Sequence, residues 1–308
     1  MRLSTSSNIC NFDRGQPYMV TFEDALRICA AAGYKYIDAN LCGLARPGKK
    51  VSPLTQEDWS EKAKEWRQLA DELGITLLQG HAWWAIGRGV QQGENPGDEF
   101  GEEMMRRSVL AAEQLGIREL VVHPYSVFRG ETMLIDEGYA DNLRYFSRWA
   151  AFFKQHNMEM CIENMVGKPG SENPSIWADI TRLCRLVDEI GEPHVGTCLD
   201  TGHAFLSGDD PAACARQMGS RLKATHIADN KGDRDAHVSP FMGNIDWPEL
   251  VRALRDIGYQ NDFSFETQNL SACFPLAVQP EIIRFSYTLG EYLLSDALFT
   301  DIGQQPPM

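Results

Sequence analysis

The chain has 308 residues, of which 43% are hydrophobic. That excludes a disordered or fibrous polymer and allows a large core. Lys and Arg number 29 against 43 Asp and Glu, a net charge of −14; such a surface repels phosphate backbones and anionic lipid, so neither nucleic acid nor membrane is expected as a partner.

In chain order, short β-rich runs alternate with amphipathic helical stretches. The first strand is expected at Leu3–Ser6, followed by a helix at Thr21–Ala32 that opens on a capping-type T-x-E-D and stops at Gly33. Strand two at Tyr36–Ala39 leads to a helix at Gln56–Leu73, and strand three at Thr76–Gly80 to one at Asp98–Leu115. Then come Glu119–His123 with Asp141–His156, Met158–Glu163 with Ile176–Ile190, and Gly196–Asp200 with Pro211–Met218. The last two pairs are Ala224–Ile227 with Pro248–Ile257 and Phe263–Glu266 with Pro280–Leu294. Eight strand–helix pairs, spaced roughly 40 residues apart over the last six, predict a single (β/α)8 TIM barrel spanning residues 1–308. A doubly wound sheet would want a glycine-rich turn after strand one, and S-T-S-S-N-I-C-N supplies none. The long segments 43–54, 84–98, 124–138, 165–175, 229–246 and 268–279 all follow strands, so a barrel stacks them on one face.

No apolar run approaches the roughly 18 residues needed to span a bilayer. The start, M-R-L-S-T-S-S-N-I-C-N-F, lacks a basic region followed by an apolar stretch, so no secretory signal is expected and the cytoplasm is the default. The eight cysteines lie at least 13 residues apart, which excludes CxxC motifs and argues against a disulfide scaffold.

Five of the seven histidines, His81, His123, His203, His226 and His237, fall at or just past a strand end. So do Glu163, Asp200, Asp235 and Glu266. In a barrel all nine converge on one mouth. Histidine with carboxylate is the ligand set for zinc, manganese or cobalt, and a divalent cation relieves the repulsion between so many anionic groups. Each residue alone has a plainer role open to it: Asp200 before Thr201 could cap a helix, and Glu163 could accept bonds from a neighbouring loop. The coincidence across consecutive strands favours a metal site. Trp83 and Trp84 could stack on the C–H face of a sugar or pack under a loop. Lys168, Arg88 and Arg234 lie in the same loops and could hold an anionic substituent.

The ordered set C-I-E-N-M around Glu163, L-D-T-G-H-A-F from Leu199, H-I-A-D-N from His226, D-A-H at Asp235–His237, G-N-I-D-W and F-E-T at Glu266 resembles the xylose isomerase-like TIM-barrel superfamily, which includes sugar isomerases and epimerases and endonuclease IV. The resemblance implies one divalent metal ion (Mn2+, Co2+, Mg2+ or Zn2+) on Glu163, Asp200, His226 and Glu266. It implies Glu163 and Glu266 as the catalytic pair, and a small carbohydrate as substrate. The proton next to the carbonyl would be removed through a metal-stabilised enediolate, with His81, Trp83, His123, His203 and Lys168 binding the substrate. His81, His123, His203, Asp235 and His237 also match the further ligands of the trinuclear zinc cluster of endonuclease IV. A homodimer or tetramer is implied as well. The usual Pro-Gly after the D-x-H pair is Pro240-Phe241 here, which puts the shape of that loop in question. Sugar isomerase or epimerase is the leading expectation. A lyase or dehydratase on a sugar or cyclitol would use the same metal site, and a zinc phosphodiesterase is disfavoured by the charge.

Overall fold

The structure is a computed structural model that describes residues 1–10, 20–45, 52–84, 87–88, 97–167, 175–272, 274–275 and 277–300. Eight parallel strands close into a barrel: β1 Arg2–Ser6, β2 Tyr36–Asn40, β3 Gln79–His81, β4 Glu119–Val122, β5 Glu159–Glu163, β6 Val195–Asp200, β7 Leu222–Ile227 and β8 Asp262–Phe265. Each pairs with the next, and β8 closes on β1 with Arg2 opposite Asp262 and Thr5 opposite Phe265. The principal helices are α1 Phe22–Ala32, α2 Trp59–Leu73, α3 Glu99–Leu115, α4 Ile135–Gln155, α5 Ile180–Ile190, α6 Pro211–Met218, α7 Trp247–Asp256 and α8 Gln279–Leu294. The expected barrel is therefore the one observed.

The punctuation has local causes. Thr21 accepts the Asp24 N–H to start α1, and Gly33, Gly74, Gly116 and Gly191 end α1, α2, α3 and α5 in the left-handed conformation. The helix expected at Asp141 begins six residues earlier. Asp141 is not its cap: its carboxylate accepts the Tyr125 hydroxyl at 3.1 Å, while Asp136 and Glu137 occupy the first turn, where the helix dipole favours acids. The freed connection carries a small sheet in which Ser126–Arg129 pairs with Gly87–Arg88 and with Thr132–Met133. A break at Asp179 divides the expected 176–190 helix, with Ile176–Ala178 in a 3-10 turn and Asp179 capping α5.

Alternation along each strand sends every second side chain into the lumen. Val121, Cys161, Cys198 and Ala224 fill its middle as a separate small cluster. The intervening residues, such as Met160, Ile162 and Leu199, join the main core against the helices. Two residues further along, the same lumen-facing rows deliver His123, Glu163, Asp200 and His226 to the C-terminal mouth. The seven described cysteines are free and buried, and among the described residues no helix is long and apolar enough to cross a membrane.

Candidate metal and active site

The mouth holds a cavity of about 460 Å3 whose wall includes His81, His123, Glu163, His203, His237 and Glu266. Asp200 and His226 lie beneath it, fully buried. Ligand atoms of Glu163, Asp200, His226 and Glu266 all fall within 4.8 Å of one another; the same holds for His81, Glu163 and His226, and for Asp200, His203 and His237. All nine expected ligands are brought to one rim, with Asp235 Oδ2 lying 3.0 Å from His237 Nε2 and 3.7 Å from His203 Nε2.

Hydrogen bonding fixes which ring nitrogens are bare. His81 Nδ1 donates to the Ala82 carbonyl at 2.9 Å, His203 Nδ1 to that of Asn164 at 2.8 Å, and His237 Nδ1 to that of Glu266 at 3.0 Å. A carbonyl can only accept, so each Nδ1 carries a proton, and Nε2 presents a lone pair only when the ring is neutral; in the metal-free site His237 Nε2 faces the Asp235 carboxylate, which can only accept, so that nitrogen is protonated too. All three Nε2 atoms face other electron-rich atoms. His81 Nε2 is 2.8 Å from His123 Nε2 and 3.5 Å from Glu163 Oε2, and His237 Nε2 faces Asp235. On the fourth ring, His226 Nδ1 lies 3.1 Å from Glu163 Oε1 and 3.6 Å from Glu266 Oε2, with Asp38 on its other side.

Asp200 fills both roles open to it from sequence. Its Oδ1 accepts the His203 N–H at 2.7 Å and caps the helix Thr201–Leu206, while its Oδ2 is buried without a hydrogen-bond partner. Glu163 Oε2 also lacks an aligned donor although His123 Nε2 is 2.9 Å away. Burial pushes Asp200 up to about 6 and His123 down to about 4. Burial works against the proton on His237 too, but Glu266 and Asp235 outweigh it and raise the ring to about 9. For Glu163, burial favours the neutral acid, yet His226 and His123 hold it well below the usual carboxylate range. Inward-facing ring nitrogens that a bound cation would deprotonate and orphaned carboxylate oxygens, with the opposite ring nitrogens held by acceptors, form a donor set that fits a divalent cation.

The remaining expected residues divide. Trp83 does not line the cavity. Its backbone N–H donates to Ser108 Oγ of α3 at 3.1 Å, and its buried ring sits edge-on to Phe100. The neighbouring Trp84 is the wall residue, stacked on His123 at 5.3 Å. Arg234 is exposed; Lys168 lies outside the described residues. Sequence reasoning missed the supporting side chains. Asn164 accepts the Asp200 N–H at 2.8 Å and donates to the Asp200 carbonyl, and Asn8 donates to Glu266 Oε1 at 3.4 Å. Asp38 and Gln79 were missed as well. Alternation in Y-I-D-A-N puts Tyr36, Asp38 and Asn40 on one face of a strand that a closed barrel buries on both sides, and that was the available signal.

A family model described as xylose isomerase-like TIM barrel matches residues 26–287. The uncharacterized protein y4fM of Sinorhizobium fredii is 26% identical over 266 residues, 83% of this chain and 75% of that protein. A probable endonuclease 4 of Mesoplasma florum is 25% identical over 176 residues, 52% of this chain and 56% of its own. Among solved structures, a D-psicose 3-epimerase crystallised in the presence of D-fructose superposes with a TM-score of 0.72 at 16% identity, covering 96% of this chain and 99% of that one. The IOLI protein with a bound zinc atom gives 0.69 at 16%, covering 96% and 100%.

Proposed function

The chain belongs to the xylose isomerase-like TIM-barrel family, and from that premise we propose that it is a divalent-metal-dependent sugar isomerase or epimerase. One observation carries the proposal: Glu163 and Glu266 both line the cavity and both reach His226 Nδ1, at 3.1 and 3.6 Å, from strands on different sides of the barrel. Glu163, Asp200, His226 and Glu266 would hold the cation, which when bound supplies Lewis-acid polarisation of a carbonyl oxygen. The two glutamates flank the space above. One removes the proton from the carbon next to the carbonyl. If the other returns it from the opposite face the carbon is inverted; if the first returns it to the adjacent carbon the carbonyl moves. His203 lines the same space and suits a substrate hydroxyl, and Trp84 would offer an indole face to sugar C–H groups.

The test is turnover of a panel of ketoses and aldoses in D2O. Solvent deuterium bound to carbon in the product is the expected result, and a rearranged product without it would overturn proton abstraction. A lyase acting on the same substrates would begin with the same proton removal and is told apart by loss of water or a cleaved product.

A second reading, a phosphodiesterase, is favoured by one feature: the joined Asp235–His237–His203 group beside the principal four ligands. The charge of −14 opposes it. Elemental analysis separates the two, with about one ion per chain expected for the sugar enzyme and about three for the phosphodiesterase.

A further inference from the structure

We propose that Asp38 is a positioning residue that fixes the imidazole of His226 so that Nδ1, and not Nε2, is the nitrogen offered to the metal. The inference rests on the metal-dependent reading above. His81, His203 and His237 are each oriented by a backbone carbonyl, an acceptor no substitution removes. His226 differs. Its Nε2 lies 3.3 Å from the Asp38 carboxylate, while Nδ1 faces Glu163 and Glu266.

Asp38 is fully buried on β2 and is itself held from two sides. Gln79 Nε2 donates to its Oδ2 at 2.7 Å and is anchored in turn on the Thr225 carbonyl at 3.1 Å, and Ser264 Oγ reaches the same oxygen at 3.3 Å. The other oxygen, Oδ1, has no hydrogen-bond partner. Two neutral donors are thin compensation for a buried carboxylate. An asparagine would meet the same two donors without a charge, so a purely structural role does not call for an acid. An imidazole N–H does, because a carboxylate on one ring nitrogen fixes the tautomer and makes the other nitrogen a better ligand. The ring also lies 8° from parallel to that of His81, at a centroid distance of 5.4 Å. With the Nε2 edge beside Asp38, the opposite edge, which faces Glu163 at 3.1 Å, is the one left for coordination.

The test uses full-length protein stripped of metal and titrated with Co2+, read by its visible absorption, beside thermal unfolding of the metal-free protein. Asp38→Asn is expected to weaken Co2+ binding about 10- to 100-fold while metal-free unfolding stays at or above the wild-type temperature. Ser264→Ala, which removes a neutral donor to Asp38, is expected to bind within about threefold of wild type. Equal Co2+ affinity in Asp38→Asn and wild type would overturn the proposal. Nitrogen-15 NMR of the wild-type Zn2+ complex needs no variant: the His226 ring proton is expected on Nε2, and a proton on Nδ1 would overturn the assignment. Wild-type protein that binds neither ion would instead remove the metal-dependent reading, and the role of Asp38 with it.

Discussion

Phe241, the residue that stands after Pro240 in the loop whose shape the sequence put in question, adopts the left-handed backbone that glycine favours, with φ at 69°. That conformation carries a steric cost of about 1 kcal/mol, offset by ring contacts with Trp247 and Tyr292 at centroid distances of 6.5 and 6.3 Å. Truncation should reverse the usual order of small residues. Phe241→Ala loses the packing and keeps the strain, whereas Phe241→Gly loses both, so the glycine variant should be the more stable by about 0.5–1 kcal/mol. Urea denaturation measures this, and an alanine variant equal to or better than glycine would show that φ is not the cost. At the opposite end of the barrel, burial pushes the Glu119 carboxyl up to about 7, Asp262 adds to the rise, and Arg2 at 3.9 Å only partly opposes it. The folded state then keeps a proton that the unfolded chain has already released. Stability should fall as pH rises from about 4.5 to about 7, by on the order of 3 kcal/mol for this group. The penalty is absent below that window and complete above it. Glu119→Gln should flatten the fall, measured as unfolding free energy against pH; identical slopes in both proteins would exclude Glu119 as its source.

The connection from β7 to α7 is organised by one buried acid that sequence reading passed over. Asp229 accepts the N–H groups of Asn230 at 2.8 Å, Gly243 at 3.0 Å and Ile245 at 3.3 Å, and the indole N–H of Trp247 at 3.0 Å. Gly243 packs so closely that an added Cβ would meet Asp229 Oδ1 at 2.2 Å. This arm presents Asp235 and His237 to the rim. Asp229→Ala leaves four donors without their acceptor, at an expected cost of about 2–4 kcal/mol, and should speed hydrogen exchange at Gly243 and Ile245. Unchanged protection there would mean the arm is held by something else.

The contrast with the principal elements shows what was legible. Strand and helix bounds were readable wherever a glycine or a side-chain cap marks them, as at Thr21, Gly33, Gly74 and Gly116. The start of α4 was not, because Leu134 caps it without a side-chain bond. The nine rim groups were readable because histidine and acid at successive strand ends need only the barrel's periodicity to converge. Asp38, Gln79 and Asn164 act through partners 36 to 226 residues away, and three of the four donors to Asp229 lie 14 to 18 residues from it; a linear pattern carries no trace of such partners. Trp83 and Trp84 are adjacent, and which one reaches the cavity depends on tertiary partners, Ser108 and Phe100 for Trp83 and His123 for Trp84.

Taken as a whole, the molecule carries its chemistry at one end of a closed barrel, on a body with a net charge of −14. That field attracts cations and repels polyanions. Duplex DNA should not be retained by the protein even at low ionic strength; salt-dependent retention would bring the phosphodiesterase reading forward. A bound divalent ion would balance the crowded donors at the mouth. Equilibrium dialysis of metal-stripped protein against Mn2+, Co2+ and Zn2+ tests it most directly. At least one ion per chain should be retained, with Glu163→Gln and Asp200→Asn retaining less. A folded wild-type protein that retains none of the three would show that the mouth is not a metal site.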